Sequence, residues 1–214
     1  GLMREEAARS NEAYLHYMAT GRPFVHLKLG VSLDGKIATR TRDSRWVTGP
    51  EARARAHELR HQYDAILIGA GTAMTDDPQL TDRSGLPRRR PLVRVVLADA
   101  LSPDSQLATT ASEAPVILFN DSDVRAVLKE LGSRSIQSVL VEGGATVAGE
   151  FVDARLVNKV TFFIAPKIVG GTDAPTAVGG RGVEMMSEAL ELENVTVTQR
   201  GKDIEVTGYP RHNK

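Results

Sequence analysis

Three segments combine residue types that do chemistry with spacings that put them at the ends of strands. The first is Lys28-Leu-Gly-Val-Ser-Leu-Asp-Gly-Lys36, continuing to Asp43-Ser-Arg-Trp-Val-Thr48. Lys28 faces away from its apolar neighbours on a strand. A cation there can bind an anionic or carbonyl group; the plain alternative is a partly exposed lysine. Trp46, the only tryptophan, follows the polar run Thr41–Arg45, so it either packs in a core or offers a flat surface to a ligand. The second segment is Gly69-Ala-Gly-Thr-Ala-Met74, a broken dinucleotide fingerprint in which Met74 stands where the third glycine belongs. Asp76 and Asp77 follow it; Asp77 before Pro78 reads as a turn, and Asp76 as a cap or a ligand for a hydroxyl. The third is Leu140-Val-Glu-Gly-Gly-Ala-Thr146, where Glu142 ends a strand and two glycines lead into a helix. Free N–H groups at a helix N-terminus bind phosphate, and glycine lets it approach. An ordinary turn glutamate is the alternative reading of Glu142.

Other chemistries are excluded by their missing motifs. There is no G-x-x-x-x-G-K-[ST], no H-E-x-x-H, no H-x-E with C-x-x-C and no G-x-S-x-G. His16, His26, His57, His61 and His212 are scattered, and His57 with His61 on one helix reads as a surface pair. Arg88, Arg89 and Arg90 read as a solvated basic loop.

The elements that must position these groups follow from periodicity. Residues 4–18 read as a helix stopped by Gly21-Arg22-Pro23. In Phe24–Val31 the alternate residues Val25, Leu27, Leu29 and Val31 are all apolar, as on a strand with one buried face. Thr48-Gly-Pro-Glu51 has capping-box spacing and starts a helix running to about Gln62. Strands are expected at 64–69, 93–97, 116–119, 136–141 and 159–164, and helices at 123–131, ended by Gly132, and 146–154. Val195–Thr198 and Ile204–Thr207 read as a terminal hairpin, and 76–91 as a loop. Strands alternating with helices imply a mostly parallel α/β sheet of about seven to nine strands, with the antiparallel hairpin at its edge. Ligands of such sheets lie beyond the strands' carboxyl ends. The loops after Leu29–Leu33, Ile68 and Val141 should therefore make any site.

Composition agrees. The chain has 214 residues, with 27 Lys+Arg balanced by 27 Asp+Glu, which disfavours a broadly basic nucleic-acid binder. It has no cysteine, which removes disulfides and thiolate chemistry and suits a reducing compartment. No apolar run approaches the roughly 20 residues of a membrane span. A cytoplasmic protein without nucleic-acid or membrane partners is the expectation.

In order along residues 20–209, the motifs Thr20–Lys36, Asp43–Thr48, Gly71–Thr81 and Val141–Thr146 resemble the reductase domain of the bifunctional riboflavin biosynthesis protein RibD. The resemblance implies a dihydrofolate-reductase-like three-layer fold. It also implies NADPH-dependent reduction of 5-amino-6-(5-phosphoribosylamino)uracil to the ribitylamino compound. It assigns Lys28, Ser44, Arg60, Leu80, Arg83 and Glu142 to the substrate. To NADPH it assigns Gly30, Trp46, Thr72, Asp76 and the turn Gly144, Ala145, Thr146, Val147, Ala148, Gly149 and Glu150. Lys28, Glu142 and Asp76 are the catalytic candidates, and no metal is expected. Residue chemistry alone does not single out Arg60 or Leu80. The family often has Asp-Ser where this chain has Ala98-Asp99, so Asp99 is expected to point away from the cofactor or to sit in a different local register. Residues 1–22 resemble the hinge that follows the family's deaminase half, leaving 23–214 as the reductase domain. The resemblance also implies a homodimer, to which the chain adds an apolar edge at Val160–Ile164 and Ile168-Val169. Two rival readings are a pteridine or folate reductase on the same fold and a non-catalytic relative.

Overall fold

The computed structural model describes residues 3–120 and 123–211; His212 lies outside them. The eight strands are β1 (Phe24–Ser32), β2 (Ala65–Gly69), β3 (Val93–Leu97), β4 (Val116–Phe119), β5 (Ser138–Val141), β6 (Lys159–Ala165), β7 (Leu192–Arg200) and β8 (Asp203–Pro210). They form one sheet in the order β4-β3-β2-β5-β1-β6-β8-β7. β4 through β6 run parallel, and only β8 and β7 are antiparallel to their neighbours.

Seven helices accompany it among the described residues: α1 (Arg4–Ser10), α2 (Glu12–Thr20), α3 (Pro50–Gln62), α4 (Ala70–Asp76), α5 (Gln106–Thr109), α6 (Val124–Ser133) and α7 (Ala145–Asp153). Val25, Leu27, Leu29 and Val31 pack on one face against Val127, Leu128 and Leu131 of α6 and Phe151 of α7. Residues of opposite parity, Phe24, Leu140, Ile66 and Ile68, pack on the other face against α3, α4 and α5. A sheet buried on both faces needs apolar residues at nearly every central position, and β2 and β5 are accordingly buried throughout. His26 is buried on β1 only because its ring nitrogens meet Tyr63 Oη (2.5 Å) and Thr161 Oγ1 (2.8 Å).

Several boundaries differ from the sequence reading. The first helix breaks at Asn11 into α1 and α2. Thr48 makes no capping box; Gly49 is the N-cap of α3, and its N–H donates to Asp203 Oδ2 at 2.6 Å. A hairpin residue distant in the chain thus closes this helix start. Gly132 does not end α6 but lies inside it, where a Cβ would come within 2.0 Å of the Gly21 carbonyl oxygen. Glycine is there for close approach. Val160–Ile164 is no edge, because β6 lies between β1 and β8. The sheet's edges are β4 and β7, and their exposed apolar residues are Leu118 on the first and Val195 and Val197 on the second. No described helix is long and apolar enough to cross a membrane.

Candidate active site

The carboxyl ends of β1, β2 and β5 open into a cleft of about 910 Å³, lined from the three loops the topology singles out. Its floor is an ion-paired triad. Lys28, on β1, places Nζ 3.0 Å from Glu142 Oε2. Glu142 directly follows β5. Arg60, in the last turn of α3, grips the same carboxylate with two bonds, Nε to Oε1 at 2.8 Å and Nη2 to Oε2 at 2.9 Å. The Glu142 side chain is 8% exposed. Burial alone would raise its pKa, but the Arg60 guanidinium and the Lys28 ammonium outweigh that and hold it far below the usual carboxylate range. Burial opposes the Arg60 charge too, and Glu142 more than restores it, so the Arg60 pKa is raised. Glu142 is therefore ionised at neutral pH and is no proton donor. Three of its lone-pair directions are taken by cations, whereas Lys28 keeps two N–H donors for a ligand.

Arg83 lines the cleft beside this triad and has no ion pair among the described residues. Its guanidinium is folded onto its own loop, with Nε on Thr81 Oγ1 at 3.2 Å and Nη2 on Gln79 Oε1. Leu80 borders the cleft with its side chain in the core and φ of 51°. Ser44 donates to Asp76 Oδ1 at 3.2 Å, and the Arg45 guanidinium bonds the Asp76 carbonyl. Trp46 lines the cleft 63% exposed, with the Arg53 guanidinium 4.6 Å from its ring centre, so it is not a core tryptophan.

The opposite wall carries no charge. Gly71 and Thr72 of α4 face Gly143, Gly144, Ala145 and Thr146 at the start of α7. No side chain caps α7, so its first N–H groups are left free. A Cβ on Gly69 would lie 2.7 Å from Val147 Cγ2, and one on Gly143 2.6 Å from Val147 Cβ. The two turns close on either side of Val147 only because both residues are glycine. A Cβ on Gly144 would come 3.5 Å from Thr72 Oγ1, narrowing the space between the turns. This uncharged cradle suits a pyrophosphate held by backbone N–H groups.

The cleft gathers thirteen of the seventeen residues named from the sequence. Lys28, Gly30, Ser44, Trp46, Arg60, Thr72, Asp76, Leu80, Arg83, Glu142, Gly144, Ala145 and Thr146 line it. Val147, Ala148, Gly149 and Glu150 do not. Val147 is the wedge just described, Ala148 is buried, and Gly149 lies against the backbone of Gly179 and Gly180. Asp99 is exposed and outside the cleft.

The sequence reading missed Arg53 and His57, which line the cleft from α3. With Arg60 they sit at helical spacing, so a polar face aimed at the sheet's end was readable in principle. His57 and His61 are not a surface pair: His57 borders the cleft, and His61 Nδ1 meets Asp82 Oδ2 at 2.7 Å. Arg88 is not solvated, since it bonds the carbonyls that end α3. Among the described residues no His/Asp/Glu group could hold a metal.

A family model described as the RibD C-terminal domain matches residues 23–206. The riboflavin biosynthesis protein RibD of Bacillus amyloliquefaciens is 38% identical over 240 aligned positions, covering 100% of this chain and 64% of that protein. A diaminohydroxyphosphoribosylaminopyrimidine deaminase/5-amino-6-(5-phosphoribosylamino)uracil reductase of Thermotoga maritima superposes with a TM-score of 0.85 at 32% identity, covering 99% of this chain and 63% of that one. Dihydrofolate reductase from Enterococcus faecalis shares the fold alone, with a TM-score of 0.53 at 13% identity over 88% of this chain and 97% of that one. The chain thus spans somewhat under two thirds of the RibD proteins it matches.

Proposed function

The chain belongs to the RibD C-terminal domain family, and from that premise we propose that it reduces the ribosyl group of 5-amino-6-(5-phosphoribosylamino)uracil with NADPH. Residues 23–214 are the reductase domain in this reading, and 1–22 a hinge. The observation that carries the proposal is the meeting, in one cleft, of the Lys28–Glu142–Arg60 triad with the uncharged glycine cradle. The first suits a polyhydroxylated, phosphorylated substrate and the second a dinucleotide.

When bound, the nicotinamide supplies hydride chemistry at C1′ of the ring-opened ribose. The protein supplies position and charge. Gly144, Ala145, Thr146 and Thr72 hold the cofactor's phosphates, with Gly30 and Trp46 bordering its space. Lys28 donates through its free N–H groups to the ribose oxygen and steadies negative charge there. Glu142 fixes Lys28 and Arg60 and accepts from a ribose or pyrimidine donor with its remaining lone pair. Asp76, oriented by Ser44, holds a ribose hydroxyl or carries a proton. Arg83, lacking a carboxylate partner, takes the substrate phosphate together with Arg60.

The pteridine-reductase alternative is not favoured: a dihydropterin needs neither arginine. Asp99, the one hint of a non-catalytic relative, lies outside the cleft. The reading carries a homodimer and a cytoplasmic location with it. The exposed Val195 and Val197 of β7 support the dimer, and sedimentation as a monomer at micromolar concentration would contradict it. The main test is NADPH oxidation followed by absorbance with the phosphorylated pyrimidine. Turnover is expected, and a folded, NADPH-binding sample that gives none refutes the proposal.

A further inference from the structure

Arg88 turns back from its loop onto the end of α3. Its Nη1 donates to the carbonyls of Arg60 and His61, both at 2.9 Å, and its Nη2 to that of Tyr63 at 2.7 Å. The first two carbonyls belong to the last turn of α3 and the third to its C-cap; that of Arg60 also accepts from the Tyr63 N–H at 3.5 Å. All three lie at the helix's negative end, where a cation is favoured. The same Nη1 lies 3.3 Å from Asp82 Oδ2, which also meets His61 Nδ1 at 2.7 Å. Asp82 Oδ1 accepts from the Ser84 N–H at 2.9 Å. Burial would raise the Asp82 pKa, but bonds from Ser84, His61 and Arg88 hold it down to about 2. Arg88, Asp82 and His61 thus form a clamp between the end of α3 and the loop at 79–84. None of the three lines the cleft.

What the clamp joins does line the cleft. Arg60 is attached through its own carbonyl, and its Nη1 reaches the Thr81 carbonyl at 3.3 Å. Arg83 is fastened to the same loop through Gln79 and Thr81, so its guanidinium goes where the loop goes. A displacement of about 1 Å in a positioning group is enough to lose much of its benefit.

We propose that Arg88, acting through Asp82, is a positioning residue that sets the spacing of Arg83 from Arg60 and so the grip on the substrate's phosphate. This rests on the phosphorylated-substrate reading above. Arg88→Lys keeps the charge but loses the planar fork that spans three carbonyls. Asp82→Asn keeps the shape but loses the anion between His61 and Arg88. Both variants, with Arg88→Ala as the harsher case, are assayed well below their melting temperatures. The substrates are 5-amino-6-(5-phosphoribosylamino)uracil and its dephosphorylated riboside, and NADPH affinity is measured by fluorescence. In the folded variants KM for the phosphorylated substrate should rise about tenfold with kcat much less affected. KM for the riboside and NADPH affinity should hold. Equal losses on both substrates, or retained phosphate preference in both Arg88→Lys and Asp82→Asn, would overturn the clamp alone. A wild-type chain with no preference for the phosphorylated substrate would overturn the functional reading, and the clamp with it.

Discussion

The two walls of the cleft work in opposite ways. One is built from long charged side chains that hold each other: Lys28, Glu142 and Arg60, with Arg83 alongside. The other is built from residues with little side chain, Gly71 and Thr72 facing Gly143 to Thr146, and offers backbone N–H groups. The first wall depends on which atoms are present and the second on how closely backbones approach. Substitutions should therefore separate them cleanly.

The largest effect should come from the charged wall. Lys28→Ala and Glu142→Gln should each lower turnover by about 10²–10⁴-fold, with NADPH binding nearly unchanged. Wild-type turnover by Lys28→Ala in steady-state assay would remove Lys28 from the chemistry. The glycine wall should respond the other way. A valine at Gly144 would fill space between the turns, so NADPH affinity should fall by about tenfold or more, with Thr72→Ala losing less. Calorimetric titration distinguishes this from a loss on the substrate side. Unchanged NADPH affinity in the Gly144 variant would place the cofactor elsewhere.

Acid should sharpen the contrast, because the glycine wall has nothing to titrate. Burial, aided by Lys159, Arg55 and Lys28, lowers the His26 pKa from 6.5 to about 3. The unfolded chain then binds more protons than the folded one between those values, so stability present above pH 6.5 is lost as pH falls toward 3. Glu142 and Asp82, both depressed, lose their contributions in the same direction below pH 4.5 and 3.8. Urea midpoints should decline steadily below pH 6.5; a flat profile down to pH 4 would mean that His26 takes up its proton as readily in the folded chain as in the unfolded one, so that burial does not lower its pKa. The smallest effect is expected of Trp46→Phe. It removes part of the surface under Arg53 and should change NADPH affinity by no more than about threefold.

Periodicity resolved what depends on neighbours in the chain. β3 and β4 are bounded by Val93, Leu97, Val116 and Phe119 as their apolar runs suggest. Phase placed Glu142 just past the end of β5, but Lys28 stands at the middle of β1 rather than at a strand end; the Leu27–Val141 pairing of β1 with β5 brings it level with Glu142. Long-range contacts left no such trace. Gly132 looked like a helix stop because nothing local reveals the Gly21 carbonyl against it. Thr48 looked like a cap because its competitor, Asp203, is 154 positions from Gly49. Arg88 reads as solvent-facing in a run of three arginines, and only the end of α3 distinguishes it from Arg89 and Arg90.

Arg94 on β3 carries a consequence for the order in which the chain folds. Its guanidinium is wholly buried, and it bonds the carbonyls of Gln79, Thr110 and Ala114 and the Thr110 hydroxyl rather than a carboxylate. These partners lie 15, 16 and 20 positions away in the chain. A charge stripped of water before they arrive would be strongly disfavoured. β3 therefore cannot seat in the sheet until the loop at 79 and the turn after α5 have closed around Arg94. Residues 79–114 should form and open as one cooperative unit, protecting their amides from hydrogen exchange together.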